Sequence, residues 1–216
     1  MAIYVTGDTH GEQNRILDIE RHTGIKNDDY LIICGDFGYL MRNDLTENNF
    51  LDDLSARGYT ILFADGNHEC FPAIFSYKKI KWNGGYIHKL RDNIYHLMRG
   101  QIYNIEGKKF FILGGAYSID RYMRRLGYSY WEEEMVNDAE YKEAIKNLSL
   151  HNNKVDYIIE LKSKLSENSL VYENGMKEMI DNAIRFEVEK AKERDVAAYH
   201  FASGGRFEKN FDRITV

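Results

Sequence analysis

Three short apolar runs, each stopping in a polar turn that carries glycine, limit what this chain can fold into. Residues 2–6 read AIYVT and end in Gly7-Asp8-Thr9-His10-Gly11. Residues 30–34 read YLIIC and end in Gly35-Asp36-Phe37-Gly38, and residues 59–64 read YTILFA and end in Asp65-Gly66-Asn67-His68-Glu69. Continuous apolar runs bounded by turn residues predict buried strands. Between them, residues 12–23 carry Ile16, Leu17 and Ile19, and residues 44–57 carry Phe50, Leu51 and Leu54, at helical spacing. Gly24 and Gly58 follow as stops. Strand, helix, strand, helix, strand predicts parallel pairing with right-handed crossovers. All three polar turns then fall on one sheet edge, where open α/β sheets place their ligands.

Past residue 90 the pattern shortens. Residues 94–98, 101–105 and 109–113 are strand-like, the last two joined through Glu106-Gly107-Lys108 as a hairpin. A loop rich in aromatics and arginine follows at 114–131. Helix 138–149, strand 154–159, helix 175–193 and strand 196–201 come next, and 206–216 reads as a last strand. The stripe Met176, Met179, Ile180, Ala183, Ile184 and Val188 reads as core packing of the long helix. With no repeat or linker and a single proline, Pro72, the 216 residues read as one domain over 1–216. A net charge of -5 argues against a broad nucleic-acid surface. Two cysteines, Cys34 and Cys70, make no disulfide framework. No run is long enough for a membrane span and no signal peptide is visible, so a cytoplasmic location is expected.

Asp8, His10, Asp36, Asn67 and His68 should converge. Alone, each turn is commonplace; together, in order, at three strand ends, they point to a metal site. Hard oxygen donors with imidazole suit manganese, iron or zinc better than calcium or cuprous copper. A carboxylate in the middle turn, Asp36, can bridge two ions. Two ions about 3.5–4 Å apart clamp a phosphate and acidify a water. Phosphate also asks for positive charge, and Arg121, Arg124 and Arg125 are the candidates, since guanidinium forks bind oxygens in pairs. Tyr128, Tyr130 and Trp131 suit either base stacking or the core. Lys78, Lys79 and Lys81 read as a solvated face.

With these motifs the chain resembles the calcineurin-like metallophosphoesterases, whose motifs run D-x-H, GD, GNH[DE], a later His, and GHxH. Asp8-Thr9-His10, Gly35-Asp36 and Gly66-Asn67-His68-Glu69 match in order and spacing. Gly114-Gly115-Ala116-Tyr117-Ser118-Ile119-Asp120 and Trp131-Glu132-Glu133-Glu134 are similar to a small bacterial or phage branch. The resemblance implies an α/β fold: a four-layer αββα sandwich of two mixed sheets flanked by helices. It implies hydrolysis of a phosphate mono- or diester by metal-activated water or hydroxide. The cofactor would be one or two divalent ions per chain, manganese first, with iron or zinc as alternatives. Asp8 and His10 would hold the first ion, Asp36 would bridge, and Asn67 would hold the second. His68 would donate a proton to the leaving oxygen or stabilise the phosphate. The substrate could be a small molecule, a nucleotide or a phosphoprotein; the GDxVDRG of protein Ser/Thr phosphatases is missing.

The C-terminal motifs depart from the family. Leu161 stands at the expected His, and Ala202 at the second His of GHxH, while His200 matches the first and would be a ligand of the second ion. The alternative is therefore a degenerate member that binds or regulates without turnover. His88, His96 and His151 are weaker candidates to fill the gap.

Overall fold

A computed structural model describes residues 1–118, 120–162, 197–202 and 211–214, with residues 160–162 and the last two segments described as backbone. Alternate residues of a strand face opposite ways, and this chain buries both faces. In β1 (Ile3–Thr6), β2 (Tyr30–Cys34) and β3 (Thr60–Ala64), one face carries Tyr4, Leu31, Ile33, Ile61 and Phe63. Helices α1 (Gln13–Thr23), α2 (Leu45–Ser55) and α3 (Phe71–Ser76) cover it with Ile16, Ile19, Leu51, Leu54 and Ile74. The other face carries Ile3, Val5, Ile32, Cys34, Leu62 and Ala64. It meets Tyr103, Ile105, Phe110, Ile112 and Ile159 of a second sheet, from β7 (Ile102–Ile105), β8 (Lys108–Leu113) and β9 (Tyr157–Lys162). That sheet turns Ile102, Phe111 and Ile158 outward onto Ala144 and Leu148 of α4 (Asp138–Leu150). The layers thus run helix, sheet, sheet, helix, as the resemblance implied.

Both sheets are mixed. The larger has the order β11 (Phe211–Ile214), β1, β2, β3, β6 (Ile94–Leu97), β5 (Gly85–Arg91), β4 (Lys78–Trp82). Its inner strands β1, β2, β3 and β6 are parallel, and β11, β5 and β4 are antiparallel to their neighbours. The smaller has the order β10 (Ala197–Ala202), β9, β8, β7, with β8, β9 and β10 parallel. Among the described residues no helix is long and apolar enough to cross a membrane.

Several elements differ from the sequence reading. The lysine stretch at 78–82 is a strand at the sheet edge, where lysines blunt further pairing. Its partner β5 and the one-and-a-half-turn α3, opened by Pro72, carry too little periodicity to be read. β9 starts three residues later than expected, because residues 151–156 close α4 and turn, with Asp156 N–H donating to Lys109 O at 2.9 Å. The helix read at 175–193 lies outside the described residues.

A buried ion network braces the end of β3. The Asp65 carboxylate accepts from Arg99 Nε at 2.7 Å and lies 3.0 Å from His96 Nε2. Arg99 also donates to the carbonyls of Glu133 (2.8 Å) and Met135 (2.9 Å), tying β3 to the segment before α4. Burial pushes the Asp65 carboxyl up, but Arg99 and His96 outweigh it and hold it at about 2, below its ordinary 3.8. A depressed carboxyl contributes stability that is present above its unfolded value and lost as pH falls through its folded one. The network's contribution should therefore persist above about pH 4 and vanish towards about pH 2. Arg99→Ala strands a buried carboxylate and should cost about 3–5 kcal/mol in urea unfolding at neutral pH. Breaking the exposed Lys89–Asp92 pair should change little. Equal effects from the two would contradict the bracing role.

Candidate metal centre

The turns after β1 and β2 touch through their backbones. Thr9 N–H and His10 N–H donate to Asp36 O (3.1 and 2.8 Å), and Gly11 N–H donates to Phe37 O (3.1 Å). The Thr9 hydroxyl donates to Phe37 O at 2.9 Å. Gly38, at φ +71°, leaves no room for a side chain: a Cβ there would lie 2.5 Å from Gly11 N. His10 (φ 48°) and Asp36 (φ 45°) are themselves held in the left-handed region, which turns both chains sharply at the contact. Phe37 stacks on Phe63 of β3, with ring centroids 4.1 Å apart. The third turn clamps the second: buried Glu69 accepts Phe37 N–H at 2.7 Å, and His68 N–H donates to Asp36 Oδ1 at 2.8 Å. Burial and the neighbouring Asp36 push the Glu69 carboxyl well above the usual carboxylate range.

These contacts bring Asp8, His10 and Asp36 together, each offering one donor atom within 4.8 Å of the others. Asp36 is 0% exposed, yet its Oδ2 has no hydrogen-bond partner; Asn67 is 5% exposed, and its Oδ1 has none either. An orphaned buried acceptor costs about 1–3 kcal/mol. The Asp36 orphan, beside Asp8 and the His10 imidazole, fits a divalent cation, and Asn67 Oδ1, one residue from the His68 N–H that holds Asp36, is a further oxygen donor without a hydrogen-bond partner.

The electrostatics agree with that fit. His10 Nε2 lies 2.8 Å from Asp8 Oδ2 and 3.8 Å from Asp36 Oδ2. The Asp8 contact raises the His10 pKa above its usual value despite burial. Burial pushes the Asp36 carboxyl up to about 6. His68 sits beside His10, ring centroids 5.2 Å apart. Burial, then the Arg124 guanidinium with Nη2 3.1 Å from Nε2, push its imidazole down to about 4. His68 is therefore neutral at pH 7, and toward Arg124 it accepts.

The arginines part company. Arg124 lies against His68 and pairs with Asp120 (Nε–Oδ1 2.8 Å). Arg125 is exposed. Arg121 is engaged by buried Glu134 and lies over the Tyr117 and Tyr130 rings, 4.3 and 5.3 Å from their centroids. Trp131 is buried, whereas Tyr128 is exposed. His200 pairs in register with Glu160, Leu161 with Phe201, and Ala202 with Lys162. These positions lie on strands parallel to β8, whose end leads into the loop that contacts Asn67. His88 and His96 are buried in the Asp65 network, their Nδ1 atoms 3.0 Å apart, and do not join the cluster. His151 caps the end of α4. Ser118 and Glu134, not singled out by sequence reasoning, hold Asn67; their only signal was membership of the two family-like segments.

The calcineurin-like phosphoesterase family model matches residues 1–167. No curated protein matches. Among solved structures, the protein of unknown function AQ665 from Aquifex aeolicus aligns over 93% of this chain and 89% of its own, at 13% identity and a TM-score of 0.38.

Two ligands with raised proton affinity must deprotonate to bind a cation, so binding should expel protons. Affinity for Mn(II) should rise with pH through about 6, where Asp36 loses its proton, and go on rising above pH 6.5 as His10 loses its own. Calorimetry in buffers of differing ionisation enthalpy checks this; an affinity independent of pH across that window would contradict it.

Proposed function

We propose that this chain, which belongs to the calcineurin-like phosphoesterase family, hydrolyses phosphate esters at the Asp8–His10–Asp36–Asn67 cluster. The observation that supports this most is the pair of buried, unpartnered oxygens, Asp36 Oδ2 and Asn67 Oδ1. Asp8, His10, Asp36 and Asn67 would hold one or two divalent ions, manganese first, and His200 would add a ligand from β10. A bound ion supplies a Lewis acid for phosphoryl oxygen and a water acidic enough to attack near neutral pH.

The chain's own residues do the rest. Arg124 offers a planar fork to the phosphate oxygens. Asp120 and the edge of His68 hold that fork in place. An anionic ester would draw the Arg124 fork off the imidazole, and His68 Nε2 would then take a proton from bulk water and give it to the leaving oxygen, which departs as the alcohol. Arg125 stays exposed on the same loop. Arg121 acts through Glu134 instead of touching substrate. The two free cysteines fit a reducing, cytoplasmic setting.

Leu161 and Ala202 support a second reading, a metal-weakened member that works by binding. Turnover separates the two. With Mn(II), the protein should cleave chromogenic phosphate mono- or diesters, and Asp36→Asn should lower kcat/KM by more than about 100-fold, beyond what losing an outer contact does. Metal binding without turnover of either ester class would favour the second reading.

A further inference from the structure

An asparagine amide has two ends of nearly equal size. Only the oxygen can ligate a cation; turned over, Asn67 would present an NH2 group to the cluster. What decides the orientation is the hydrogen bonding behind it. We propose that Ser118 and Glu134 are positioning residues that lock the Asn67 amide with its oxygen facing the metal cluster. The proposal rests on the reading of that cluster as a metal site.

Counting protons fixes the polarity. Asn67 Nδ2 donates to Ser118 Oγ at 3.1 Å. Ser118 owns one hydroxyl proton, and it goes to Glu134 Oε2 at 2.9 Å. Toward Asn67, the Ser118 oxygen therefore has only lone pairs. Glu134 cannot reverse this, because a carboxylate only accepts. Its Oε1 is taken by Ser118 N–H at 3.2 Å and by Arg121 Nε at 2.5 Å, with Arg121 Nη2 beside it. The main chain that carries this carboxylate is anchored too, since the Glu134 backbone carbonyl accepts from Ala116 N–H at 3.1 Å and Arg99 Nη2 at 3.3 Å. A flipped amide would set Asn67 Oδ1 against an oxygen with no proton to give. The chain Asn67, Ser118, Glu134 is buried throughout (5%, 1% and 0% exposed), so leaving such a pair unmatched would be expensive there. The consequence is the unpartnered Asn67 Oδ1. Arg121 thereby becomes the counter-ion of the relay.

Glu134→Gln is the sharpest variant. It keeps the shape, but its NH2 can donate to Ser118 Oγ, which frees the hydroxyl proton to meet a flipped Asn67. In the full chain, Glu134→Gln and Ser118→Ala should each weaken Mn(II) binding by about 10–100-fold, as outer-shell losses do. Ser118→Thr, which keeps the hydroxyl, should bind like the wild type. In an Asn67→Ala background, Glu134→Gln should weaken Mn(II) binding no further, because the group it orients is gone. Metal-free melting temperatures separate positioning from general damage, since a structural role lowers stability while a positioning role lowers affinity. Full loss again in the Asn67→Ala background, or wild-type affinity in Glu134→Gln, would overturn the relay alone. A wild-type chain that binds no Mn(II) would overturn both the relay and the proposed function.

Discussion

Direct backbone contact between the turns after β1 and β2 sets where each donor of the cluster sits. Amide hydrogens of Thr9, His10 and Gly11 run into the carbonyls of Asp36 and Phe37. No side chain fits between them, and glycine at 11 and 38 is what permits the approach. The sheet supplies parallel strands at the right spacing; the turns convert that spacing into a cluster. Glu69 and the Asp65–Arg99 pair then brace the assembly from the third strand. The outcome is a carboxylate, Asp36, held in a place where water cannot reach it. That environment raises its pKa and leaves one oxygen unmet, the two features on which the proposed metal site rests.

Much of this was legible because each donor follows a strand directly in sequence. Asp8, Asp36 and Asn67 stand within three residues of the ends of β1, β2 and β3, so finding the strands located the donors. The β7–β8 hairpin was visible for a similar local reason, the Glu106-Gly107 turn with positive φ at both residues. The family model independently matches the chain over residues 1–167.

What stayed hidden was non-local. The 78–82 lysines look solvated in sequence, and they are; that they also form an edge strand depends on β5, which shows no clear alternation. Arg121 read as an available cation because sequence does not show Glu134 closing on it across thirteen residues of irregular loop. The Asn67–Ser118–Glu134 relay spans three segments with no shared period. His88 and His96 looked like spare ligands, yet neighbouring strands turn them toward each other and toward Asp65. His200, Leu161 and Ala202 occupy strand positions at the expected edge, but their side chains lie outside the described residues, and the roles assigned to them rest on the sequence pattern.

Metal content tests the central claim most directly. The wild-type chain and Asp36→Asn would be equilibrated with Mn(II) at neutral pH, freed of unbound ion, and measured by elemental analysis. The account predicts one or two ions retained per wild-type chain, and a clear loss when Asp36 gives up its charge. A wild-type chain that retains essentially none would contradict it, leaving the buried carboxylate and its unpartnered oxygen without the cation they are shaped to hold.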